Sequence, residues 1–161
     1  AAGIWGEIES LKIISPDNTV EIGFSQEYGK NSTISYSGES VTFPLTLPEN
    51  RTLNVTNRTY GQAFCAPPAR AKKDDAGEYV YDNSLADGQY GYIVKVKTTN
   101  IGKEKEVFVP LKKMDGTTDI ANTDAIGKLF VINLYFNDVA LVEGVCTLKH
   151  WEDLSSDIYL Q

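Results

Sequence analysis

A chain of 161 residues is long enough for one domain with a proper core and short for two, so residues 1–161 read as a single domain. Hydrophobic residues at 42% against charged residues at 23% exclude wholesale disorder, and a net charge of −7 excludes the Lys/Arg surplus that a nucleic-acid partner demands. No apolar run approaches the roughly 20 residues that carry a helix across a bilayer, so no transmembrane segment is expected.

The chain opens Ala1-Ala2-Gly3 without an initiator Met, the form left by cleavage behind a small residue, which predicts an exported protein. Residues Ile4 to Ile14 alternate poorly. From there the dominant signal is period-two alternation, the mark of a half-buried strand. Val20, Ile22 and Phe24 share one face; Val41, Phe43, Leu45 and Leu47 share another, followed by Leu53 and Val55. Four sequons (Asn31, Asn50, Asn54 and Asn57) fall in this half, and they read as part of a Thr- and Asn-rich strand rather than as glycan sites.

Tyr92 to Lys97 and Val107 to Val109 alternate again. Leu129 to Phe136 is apolar on both faces and predicts a central strand covered on both sides; Val139 to Leu148 predicts one more. Turn chemistry separates the runs, as in Pro16-Asp17-Asn18, Ser37-Gly38, Asp87-Gly88 and Asp115-Gly116. Pro44 and Pro110 lack the ladder donor and belong on edges or at bulges. Mixed-charge runs such as Lys72-Lys73-Asp74-Asp75 and Lys103-Glu104-Lys105-Glu106 read as solvated hairpin tips. Helix is scarce, with a turn or two at most in Asp119–Lys128 and Asp153–Leu160. The predicted fold is all-β, an antiparallel β-sandwich of immunoglobulin-like or jelly-roll-like type with little helix.

The inventory of reactive groups is short. His150 is the one histidine, no Gly-x-Ser-x-Gly elbow accompanies it, and no phosphate-cradling Gly-rich loop occurs. An enzyme is therefore not expected, nor a cofactor. Cys65 and Cys146 are too few and too far apart for zinc and predict one disulfide in an oxidising compartment; two buried free thiols are the alternative. The oxygen-rich loop Asp115–Asp124 lacks EF-hand spacing and reads as turn chemistry, with no metal expected.

The segment Tyr79-Val80-Tyr81-Asp82-Asn83-Ser84 is the candidate ligand site. Tyr79 and Tyr81 share a strand face that runs into a polar turn, and aromatic platforms beside Asp82 and Asn83 suit sugar rings. Tyr90 and Trp151 are candidates to join them. The alternative is that these tyrosines pack in the core or across strands with their hydroxyls at the rim.

Three resemblances accompany this reading. Asp75-Ala76-Gly77-Glu78-Tyr79-Val80-Tyr81 resembles the tyrosine-corner segment of immunoglobulin domains, with Tyr81 where that pattern has Cys. Leu85-Ala86-Asp87-Gly88-Gln89-Tyr90-Gly91-Tyr92-Ile93-Val94-Lys95-Val96 is similar to the Gly-x-Tyr strand of bacterial chaperone–usher fimbrial subunits and related adhesins. That likeness implies a secreted or cell-surface binding module that recognises a host glycan or protein receptor, with neighbouring pilus subunits as further partners. Gly3-Ile4-Trp5 is similar to the opening of lipocalins, which implies instead a carrier of a small apolar ligand. A secreted enzyme inhibitor is a further alternative.

Overall fold

The computed structural model describes residues 2–24, 33–53, 60–112, 129–136 and 142–149. One helical turn, α1 (Ala2–Trp5), precedes β1 (Ile8–Ser15), β2 (Thr19–Gly23), β3 (Thr33–Ser37) and β4 (Val41–Pro44). Then follow β5 (Ala69–Lys73), β6 (Tyr79–Tyr81), β7 (Tyr90–Thr98), β8 (Lys105–Lys112), β9 (Leu129–Phe136) and β10 (Val142–Lys149). The molecule is all-β with almost no helix, as its alternation predicts.

Eight strands form one sheet along the path β4-β1-β7-β8-β10-β9, with β5 attached to β7 and β6 to β5; β2 and β3 form a separate two-stranded ribbon. Pairing is antiparallel except between β8 and β10, which run parallel at Cys146↔Leu111 and Thr147↔Lys112. The sheet curls into a half-barrel. Trp5 packs edge-on against Phe136 of β9 with ring centroids 5.1 Å apart, and Tyr92 of β7 meets Phe130 of β9 at 6.2 Å. A single curled sheet thus encloses a core much as two sandwich layers do, filled by Trp5, Ile8, Leu11, Tyr92, Val94, Val96, Val109 and Leu111. Each such side chain contributes about 1.5–3 kcal/mol by leaving water.

β1 hides its pattern for a local reason. Its register against β7 shifts between Ile8 and Ser10, so Ile8, Leu11, Ile13 and Ser15 all turn inward although their spacing is not uniformly two. The strand covered on both faces is β7: Tyr92, Val94 and Val96 line the core, and Ile93 is buried on the opposite side. Leu129–Phe136, expected in that central role, is instead at the end of the sheet path as β9. Its Phe130, Ile132, Leu134 and Phe136 pack on the core while Tyr135 is exposed, because only one of its faces meets the curl. Pro44 ends β4, which among the described residues pairs with β1 alone, where a missing donor costs nothing. Pro110 lies opposite Gly91 in β8, between two strands rather than at an edge; the register with β10 starts only at Leu111.

Candidate functional site

The β5–β6 hairpin is a flap. β5 begins in register with β7 at Ala69↔Gly91 and Arg70↔Tyr90, then leaves the sheet plane with β6 alongside it. Its tip is closed by Asp74, whose carboxylate accepts from the Ala76 and Glu78 amides at 2.9 and 3.0 Å. Gly77 sits there at φ 84°, a left-handed turn position open to glycine at little cost. The flap lies over the outer face of β7 and β8. Tyr79 packs against Phe108 with centroids 5.8 Å apart, under the Lys73 ammonium at 5.1 Å, and its amide donates to Glu106 Oε1. Glu106 Oε2 lies 2.8 Å from Lys95 Nζ, which also reaches Glu78 at 3.5 Å. Hydrogen bonding to Glu106 raises the Lys95 pKa. Glu106 is therefore covered by the flap rather than part of a solvated tip.

Tyr81 has a different duty. Its hydroxyl donates to the Ile14 carbonyl at 2.7 Å and accepts from the Ile93 amide at 2.9 Å, so it bridges the backbones of β1 and β7 at their last registered pair. Burial pushes its pKa well above the usual phenol value. Asp82 follows, paired with Lys72 at 2.6 Å and accepting from the Ser84 amide and hydroxyl at 2.9 and 2.5 Å. The Lys72 bond first, then those to Ser84, hold its carboxyl down at about 2. Arg70 ties the rest of the loop, donating to the carbonyls of Leu85 at 2.5 Å and Gly88 at 3.1 Å with its guanidinium 4.7 Å over the Tyr90 ring. Tyr79, Tyr81 and Asp82 are thus committed to internal contacts, Tyr90 is covered by Arg70, and Asn83 is exposed. Trp151 lies outside the described residues, as do His150 and the Asp115–Asp124 loop.

Beside Tyr81 and Asn83 opens a cleft of about 400 Å³, lined also by Pro16, Asp17, Gly38, Glu39 and Ser40. It lies at the root of the β2–β3 ribbon, because residues 16–18 lead into β2 and 38–40 leave β3. Gly38 makes this root possible: at φ 102° it brings its backbone against the Asn18 side chain, where a Cβ would collide. Asp17 and Glu39 have no ion pair among the described residues, unlike Glu9, Glu78, Asp82, Glu104 and Glu106, which all pair with lysines. The only sequence signal for this cleft was the turn chemistry at Pro16-Asp17-Asn18 and Ser37-Gly38.

Among the described residues nothing covers the ribbon. Val20 pairs with Tyr36 and Ile22 with Ile34, so Val20, Ile22, Phe24 and Ile34 occupy one face, exposed by 53%, 54%, 80% and 48%. A half-buried strand was expected there; alternation fixes which face is apolar but not what covers it.

The chain matches no protein-family model, no curated protein and no solved structure. Among the described residues, no group of three His, Cys, Asp or Glu side chains converges as a metal site, and no helix is long and apolar enough to cross a membrane. The expected Cys65–Cys146 disulfide is not formed. Cys65 is a free, half-buried thiol packed against the apolar core, and burial pushes it up to about 11, which keeps it protonated near neutral pH. Cys146 lies on β10, registered with Ile132 and Leu111.

Proposed function

We propose that this chain is an exported, surface-exposed binding module of the adhesin type that recognises a host surface molecule and performs no chemistry of its own. The observation that carries this reading is the β2–β3 ribbon, which holds four large apolar side chains in solvent on one face. Contiguous exposed apolar surface of this kind marks interaction sites in folded proteins. The polar cleft at its root, with Asp17, Glu39, Ser40 and Asn83, supplies hydrogen-bonding groups beside it. Aliphatic side chains favour a protein receptor over a glycan, since the tyrosines suited to sugar stacking are engaged within the fold.

Export is part of the proposal. It draws on the likeness of Leu85–Val96 to fimbrial subunits, since Cys65 no longer supplies a disulfide in its favour. A lipocalin-like carrier needs an open interior, whereas Trp5, Tyr92, Phe130 and Phe136 meet across the core. The test is labelled protein applied to arrays of host surface proteins and host glycans. Saturable binding to a defined receptor is expected; silence on both arrays, with no self-association, overturns the reading.

A further inference from the structure

Resting on the binding-module reading, we infer that the Val20–Ile22–Phe24–Ile34 face of the ribbon docks an extended, cationic-amphipathic segment of a partner protein. The apolar half of this assignment follows from exposure. An isolated two-stranded ribbon is marginal in water, and stability normally comes from packing its apolar face on something else. Among the described residues nothing packs on that face, while apolar side chains on β1, β7 and β8 are buried. Side chains two residues apart on β2 recur every ~6.6 Å, the repeat of an extended segment laid along the strand.

The charge half follows from an asymmetry. Among the described residues from Pro16 to Asn50 stand Asp17, Glu21, Glu39 and Glu49, with no Lys or Arg. Lys12, Lys72, Lys95 and Lys97 pair with Glu104, Asp82, Glu106 and Glu9 elsewhere on the sheet and flap, whereas Asp17 and Glu39 line the cleft with no ion pair among the described residues. An apolar stripe ending in such carboxylates complements a segment that alternates apolar and basic residues. A second copy of this chain fits poorly: an isologous contact sets the same acidic patch against itself, on a molecule of net charge −7. An anionic lipid surface is repelled for the same reason.

Fluorescence polarisation with three labelled peptides tests this. The first alternates Val and Lys, the second replaces Val with Ser, and the third replaces Lys with Glu. The first should bind, with at least tenfold weaker binding by the other two. Ile22→Ser/Phe24→Ser should weaken it at least tenfold, and Asp17→Asn/Glu39→Gln several-fold with a flatter salt dependence. Should the ribbon variant lose its fold, the carboxylate variant alone decides. Absent binding, equal binding of the Glu peptide, or variants that bind like the parent overturn the inference. So does a parent dimer, seen by sedimentation, that Phe24→Ser dissolves, which assigns the face to a second copy. Receptor-array binding that survives Ile22→Ser/Phe24→Ser removes this inference and leaves the binding-module reading standing; silence in both assays removes both.

Discussion

The Tyr81 hydroxyl stands between the Ile14 carbonyl oxygen and the Ile93 amide, 2.7 and 2.9 Å away, and so fastens the flap to the seam between β1 and β7. Replacing Tyr81 with Phe keeps the ring and removes both bonds, leaving a part-buried donor and acceptor without that partner. The expected loss is about 1–3 kcal/mol. Urea unfolding followed by far-UV circular dichroism measures it. An unchanged midpoint would show that the hydroxyl holds nothing together.

Asp82 makes a prediction with a definite sign. Its folded pKa of about 2 lies below the ordinary value of about 3.9, so its contribution to stability is present above about pH 3.9 and is lost as pH falls through about 2. Carboxyl-detected NMR should place its titration midpoint near 2, and Lys72→Met should move it up toward the ordinary value. A parent midpoint near that ordinary value contradicts the Lys72–Asp82–Ser84 arrangement. Lys95 has the opposite sign: its raised pKa makes the Glu106 pairing favourable below the ordinary lysine value, and that contribution fades as pH rises through the folded one.

Cys65 should behave as a buried thiol. With its pKa at about 11 rather than 9.0, the thiolate fraction at pH 8 falls about 100-fold. Ellman's reagent should therefore react slowly with the native protein and promptly in urea, without prior reductant. Fast native reaction of a Cys146→Ser variant contradicts the burial, and a parent thiol released only by reductant restores the disulfide.

Much of the fold was legible because alternation needs only local chemistry. β7 is the clear case: Tyr92, Val94 and Val96 alternate without interruption, and turn residues mark both ends of the strand. β1 escaped because a bulge between Ile8 and Ser10 breaks its spacing, and a bulge is set by the partner strand as well as by the strand itself. Leu129–Phe136 misleads because apolarity on both faces does not specify how far the sheet continues; among the described strands the path ends at β9.

The site was less legible. Residue type singles out Tyr79, Tyr81, Asp82 and Asn83, but type cannot reveal that Tyr81 is bonded to Ile14, 67 residues away. The cleft joins two turns distant in sequence, brought together only because β2 and β3 pair in the register Thr19↔Ser37.

If the ribbon face exists for a partner and not for the fold, its apolar side chains should matter for binding and hardly at all for stability. The parent and Ile22→Ser/Phe24→Ser, compared side by side for receptor-array binding and for urea stability, test this most directly. Substitutions on an exposed face leave stability within about 0.5 kcal/mol. That small change is expected together with at least a tenfold loss of binding. Full binding by the variant, or a stability loss of the size seen for a core side chain, would contradict a face built for a partner.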